Sequence, residues 1–194
     1  MFGRTDLSCG ACGAVVGGVI VTERLVLRPY AARDRATIVA HIADAEVMRY
    51  LNPVPTDADV DAMIERQNGY LATLGYCFWS VEVRATGAMI GVCGLKPGTA
   101  GGSLDGAVEI GWRFGRDHWG QGFAREAAQA SLDWGFATLP VDRVGAITVA
   151  ANVRSWTLME RIGMVRDPDG DFDHPSVPDD SPLKRHITYW KVRS

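Results

Sequence analysis

No stretch of this 194-residue chain is apolar for long enough to cross a membrane as a helix. The longest apolar run near the start, Ala14 to Val21, is broken by two glycines and falls far short of the ~20 residues a span requires. No Lys/Arg-rich segment and small-residue cleavage site frame it as a secretion signal. The expectation is therefore a cytoplasmic protein with no membrane partner. Neither charge dominates: 20 Lys and Arg stand against 23 Asp and Glu, a net −3, so nothing pulls the whole chain toward nucleic acid. Cysteine is scarce, with four, at positions 9, 12, 77 and 93. Cys9 and Cys12 have the spacing of half a zinc site or a redox pair. No second Cys/His pair at ligand spacing accompanies them, so no metal is expected. Cys77 and Cys93 lie in apolar, strand-like runs and read as small core residues. No internal repeat is visible.

An apolar content of 47% with 22% charged residues is ordinary for one globular domain with a proper core. Residues 1–20, rich in glycine and small side chains without periodicity, are expected to be a poorly ordered extension ahead of a domain spanning 21–194. Strands are expected at 24–30, 77–84, 88–95, 107–114, 141–150 and 184–192, where apolar residues alternate or run together. Helices are expected at 34–45, 57–74, 122–139 and 152–162. Thr56 with Asp59 is a capping pair for the second of these, and Pro53 and Pro55 break the chain before it. Phe123, Ala127, Ala130, Trp134 and Ala137 form one face of the third. The segments 96–106, with its glycines, and 166–182, acidic and proline-rich, read as loops. The order βααβββαβαβ is not a clean βαβ alternation, so the fold class is a mixed α/β (α+β) sheet with helices on both faces.

The most informative stretch is Glu109-Ile-Gly-Trp-Arg-Phe-Gly-Arg-Asp-His-Trp-Gly-Gln-Gly-Phe-Ala-Arg-Glu-Ala127. A strand delivers the backbone to a glycine-containing turn, which opens onto a helix N-terminus. The first turn of a helix has unpaired N–H groups and the positive end of the peptide dipole, and so attracts phosphate. Gly120 and Gly122 remove side chains that would hold a pyrophosphate away. No Lys-Ser/Thr follows Gly122, as a P-loop would require.

The stretch Trp119 to Ala127 resembles motif A of the GCN5-related N-acetyltransferase (GNAT) superfamily, in particular its ribosomal-protein acetyltransferase (RimJ/RimL)-like subgroup. The consensus Arg/Gln-x-x-Gly-x-Gly/Ala keeps Gly122 and Ala124 here but has Trp119 at its first position. Thr22-Glu-Arg-Leu-Val-Leu-Arg-Pro29 is similar to the family's first strand, and Phe78 to Val83 with Met89 to Leu95 to its central hairpin. Asn152-Val-Arg-Ser-Trp-Thr-Leu-Met-Glu-Arg-Ile-Gly-Met164 is similar to its motif B helix. The resemblance implies a mostly antiparallel sheet splayed between its fourth and fifth strands, 107–114 and 141–150, with a pantetheine arm entering the gap.

The same resemblance implies a direct, acetyl-CoA-dependent transfer to a primary amine. The implied acceptor is a protein N-terminus; a small-molecule amine, antibiotic or polyamine-type, is the alternative, as is a silent acyl-CoA-binding module. Cofactor contacts would come from Gly111, Trp112, Arg113 and Phe114 on the strand, and from His118, Trp119, Gly120, Gln121, Gly122, Phe123, Ala124 and Arg125 on the turn. Asn152 and Ser155 would face the pantetheine and its sulfur. Many relatives carry a Tyr where this chain has Met159, so Ser155 becomes the candidate proton donor to the leaving thiolate. Glu109 and His174 are candidate bases, the latter with a suitable intrinsic pKa; Asp173 would need its pKa raised. His186, inside the last strand, reads as a packing residue. Trp79 is assigned to the acceptor site. No direct nucleic-acid contact is expected, and a homodimer is compatible with these readings.

Overall fold

Two valine-rich segments flank Gly18, whose φ of 79° suits a tight reversal between strands. In the computed structural model, which describes residues 15–16, 18–51 and 56–193, they form β1 (Val15–Val16) and β2 (Val19–Val21), paired antiparallel. The boundary expected near residue 20 therefore falls within a strand; residues 1–14, with Cys9 and Cys12, lie outside the described residues. Leu25 and Leu27 alternate inward to give β3 (Leu25–Arg28), as the sequence pattern indicates. Beyond a 3₁₀ turn at Ala32–Asp34, the single helix expected over 34–45 is two: α1 (Arg35–Ala43) and α2 (Ala45–Met48). Asp44 leaves the helical region at ψ 111° and turns its carboxylate back onto the N–H groups of Glu46 and Val47, ending one helix and capping the next. The long helix α3 (Asp57–Leu74) starts at the expected capping box of Thr56 and Asp59 and ends at Gly75, φ 81°. Pro53 and Pro55 lie outside the described residues.

The sheet continues through β4 (Phe78–Val83), β5 (Met89–Pro97) and β6 (Val108–Phe114). Helix α4 (Phe123–Thr138) crosses over to β7 (Arg143–Val149), and α5 (Val153–Arg161) leads to β8 (Val165–Asp173) and β9 (Arg185–Val192). The nine strands described run in the order β1-β2-β3-β4-β5-β6-β7-β9-β8. Every pairing is antiparallel except β6 with β7. This is a mixed, mostly antiparallel α/β sheet, as expected. Strand β8 was expected to be loop. It is the sheet's outer edge, none of its residues is buried, and its register slips between Asp167 and Phe172, across Pro168 and Gly170. A charged, bulged edge strand shows no apolar alternation because it has no covered face to demand one.

Helices lie on both faces. On one, α4 buries Ala127, Ala128, Ser131, Leu132, Trp134 and Gly135 against β5 and β6, a stripe shifted from the expected one; Ala137 is exposed. Gly135 is needed there, since a Cβ would stand 2.7 Å from Leu95 Cδ1. Trp79 and Trp134 meet edge to face, centroids 5.1 Å apart. On the other face Ile38 of α1 and Val60 of α3 close over Tyr30 and Val92. Cys77 and Cys93 are core residues, as expected, and burial pushes both thiols up to about 12. Because Trp79 is entirely enclosed, Trp79→Ala should cost about 3–5 kcal/mol, measured as a lowered urea midpoint at unchanged m-value.

Candidate functional site

Parallel pairing of β6 with β7 covers only Val108 with Val144 and Glu109 with Gly145. Past that point the strands part, each keeping its outer neighbour, β5 or β9. Gly115 N donates to Ile90 O, and Ala107 O accepts from Gly98 N, so odd-numbered residues of β6 turn their backbone toward β5. Gly111 and Arg113 are therefore committed to β5, correcting the expectation that they hold a ligand through the main chain. Trp112 and Phe114 point their N–H and C=O groups into the gap; one of these, Phe114 O, accepts from the Trp119 indole at 2.8 Å. By the same alternation from Arg193 N and Asp142 O, Ile147 and Val149 of β7 face the gap from the other side.

The upper end of β6 runs into the glycine turn. Gly120 and Gly122 have φ of 74° and 82°, backbone that L side chains rarely adopt. Glu126 N makes the first bond of α4, to Gly122 O, leaving the N–H groups of Phe123, Ala124 and Arg125 without a helical partner. A glutamate in this first turn would offset the dipole's attraction for an anion, but Glu126 is neutralised. Its carboxylate accepts from Thr22 Oγ1 at 2.6 Å and from Arg24 N and Nε at 2.8 and 2.6 Å. Burial alone would raise its pKa; these bonds outweigh it and hold the group below the usual carboxylate range. Arg24 also donates to Gln121 O and lies over the Phe123 ring, fastening the turn to β3. Gln121 closes the turn by donating to Asp117 O, and Arg125 is exposed. Across the gap, Arg154 of α5 stacks on Trp119, 4.7 Å from its centroid.

Asn152 precedes α5 but does not cap it with its side chain: Nδ2 donates to Thr148 Oγ1 at 3.1 Å, and the side-chain oxygen Oδ1 has no hydrogen bond among the described residues. Ser155, one turn on, is half-buried, and its hydroxyl has no hydrogen bond among the described residues. Met159 is buried beneath them.

Glu109, Gly111 and Arg113 share the sheet face opposite α4. Glu109 is nearly buried, and Oε2 accepts from Lys96 Nζ at 2.6 Å and Thr99 Oγ1 at 3.2 Å. Gly111 makes room for the Phe78 ring, which would lie 2.7 Å from a Cβ. Arg113 buries its Nε with no partner, and desolvation lowers its pKa. His41 of α1 sits nearby against Gly115, and desolvation lowers its pKa too, helped by Arg113 and His118. At the β7 side of this face the His174 and His186 rings meet at a tilt of 43° with centroids 4.8 Å apart, flanked by Phe172. Burial lowers the pKa of both.

A family model described as the acetyltransferase (GNAT) domain matches residues 24–165. The chain belongs to the GNAT acetyltransferase family. It is 34% identical over 158 residues to the uncharacterized N-acetyltransferase p20 of Bacillus licheniformis, covering 76% of this chain and 85% of that one. A GNAT-family acetyltransferase of Bacillus anthracis has a similar structure, with a TM-score of 0.73 and 26% identity, covering 90% of this chain and 98% of that one. RimL, a ribosomal L7/L12 alpha-N-protein acetyltransferase solved in complex with coenzyme A, shares the fold at a TM-score of 0.70 and 14% identity, covering 89% and 96%. The protein is thus an N-acetyltransferase of the GNAT family.

Within this GNAT fold, residues 118–125 form the turn and helix start after β6, Asn152 and Ser155 lie at the start of α5 after β7, and Glu109 and His174 lie on the face opposite α4. Trp79 does not join them. It lies under α4, fully enclosed, its indole donating to Gly18 O at 2.9 Å, so it cannot touch an acceptor. Sequence reasoning missed Arg24 and Glu126, a pair 102 residues apart whose partnership has no local signal. His41, His174 and His186 are all held toward their neutral forms by burial, so the folded state binds fewer protons than the unfolded chain once pH drops into the ordinary histidine range. Melting temperature, followed by scanning calorimetry, should be flat above that range and fall as pH drops through it. Replacing His174 and His186 together with Gln should flatten the fall.

Proposed function

We propose that this protein transfers an acetyl group from acetyl-CoA directly to a primary amine in the gap between β6 and β7, the amine being the N-terminus of a protein. The carrying observation is the free backbone of Trp112 and the free N–H of Phe114 beside the unpaired N–H groups of α4. An amide-bearing arm can pair with the first as an added strand would, while a pyrophosphate meets the second. Bound acetyl-CoA would supply the acetyl group activated as a thioester. The residues around it orient and move protons. Asn152 offers its carbonyl oxygen to the arm, Gly120 and Gly122 let the backbone approach the phosphates, and Ser155 holds a proton where a departing sulfur needs one. Both described cysteines are enclosed and kept as thiols, which supports a single direct transfer in a ternary complex. The protein-N-terminus acceptor is supported by the motif resemblance and by the RimL fold likeness.

Ala124→Glu should place charge and bulk against the pyrophosphate and weaken acetyl-CoA binding at least about tenfold by calorimetry; unchanged affinity would remove this turn from the site. Ser155→Ala should lower kcat by roughly 10²–10⁴-fold with little change in the KM for acetyl-CoA. A serine that merely supports the helix would leave kcat intact and shift only the melting curve. Turnover with a panel of N-terminal peptides and small amines should favour the peptides. Preference for a small amine would replace the acceptor class, and no turnover at all would leave an acyl-CoA-binding module.

A further inference from the structure

His174 and His186 are in ring contact and alike as bases by type, yet their hydrogen bonds set them in opposite tautomers. Ser176 N donates to His174 Nδ1 at 3.2 Å. That nitrogen must offer its lone pair, so neutral His174 has its hydrogen on Nε2, which can donate but not accept. His186 is reversed. Its Nδ1 lies 3.3 Å from Lys184 O, and a carbonyl can only accept, so Nδ1 carries the hydrogen and Nε2 keeps a free lone pair.

We propose that His186, and not His174, takes the proton from the attacking amine. This rests on reading the gap as the site of transfer. His186 lies opposite Val149, at the end of β7 three residues before Asn152, on the sheet face that carries Glu109. The groups facing it are Glu109 from β6, the His174 ring and Phe172 from β8 and the turn after it, and the Lys184 carbonyl; Lys96 and Lys184 act on His174. Glu109 favours the imidazolium that forms, while Lys96 and Thr99 keep its carboxylate in place, so Glu109 is a positioning residue acting through His186. The balance closes. A neutral amine bonds through nitrogen to the acetyl carbon and yields one proton to His186 Nε2. The carbon–sulfur bond breaks with its electron pair on sulfur, which takes the Ser155 hydroxyl proton. Solvent water carries the imidazolium's proton back to Ser155, leaving amide and thiol.

Two measurements on the whole chain test this. Imidazole ¹⁵N spectra near neutral pH should show His186 as the Nδ1–H tautomer and His174 as Nε2–H; the reverse assignment overturns the proposal without any acceptor. In turnover, the wild-type acidic limb should lie below the ordinary histidine range, because burial lowers the His186 pKa. His186→Gln should lower kcat by roughly 10²–10⁴-fold and abolish that limb, with acetyl-CoA affinity unchanged. His174→Gln should keep the limb. A limb that survives in His186→Gln, or is lost instead in His174→Gln, overturns the assignment while leaving the transfer reading intact. A wild-type protein that acetylates no amine removes the transfer reading and this proposal with it.

Discussion

The architecture around the gap depends on two strands that pair for two residues and then part. A buried strand edge without partners is costly, since each unpaired N–H or C=O forgoes a hydrogen bond. The sheet tolerates the divergence because β6 keeps β5 along its whole length and β7 keeps β9. The edge is thereby opened inside the sheet, where a ligand's amides can serve in place of a neighbouring strand. The crossover through α4 follows from the same contact, since parallel neighbours need a long connection. That connection brings a helix N-terminus to the mouth of the gap.

Two carboxylates beside the gap are tied down by partners. Glu126, in the first turn of α4, is tied to Arg24 and Thr22. Glu109, at the closed end, is tied to Lys96 and Thr99. The partners come from distant parts of the chain, so the electrostatics of the site are a product of the fold and not of the motif alone. On the opposite side Arg154 stacked on Trp119 gives the unusual first residue of the glycine turn a structural role. Its indole also ties the turn to Phe114, so the turn and β6 move as one piece.

The glycine turn, the capping box at Thr56, the alternation at Leu25 and Leu27 and the helix boundaries near 122–139 were all legible because each is a local pattern with a local cause. What escaped has non-local causes. Strand β8 carries Pro168, Gly170 and four aspartates within its span, and pairs only because β9 lies beside it. Asp44 splits a helix that periodicity alone would continue. Trp79 was placed at the acceptor site from its strand, but the face of that strand is set by α4 and Trp134, 55 residues away. His186 and His174 differ in their hydrogen-bond partners and not in residue type, so no sequence pattern separates them.

The central claim, that the parted strands hold a ligand through free backbone groups, is tested most directly by amide hydrogen exchange along β6. Without a cofactor, the N–H groups of Gly111 and Arg113, bonded to β5, should exchange slowly, and that of Trp112 fast. Adding acetyl-CoA should protect Trp112 N–H strongly and leave Gly111 and Arg113 nearly unchanged. A Trp112 amide already protected in the free protein, or one that acetyl-CoA leaves fast, would contradict the account.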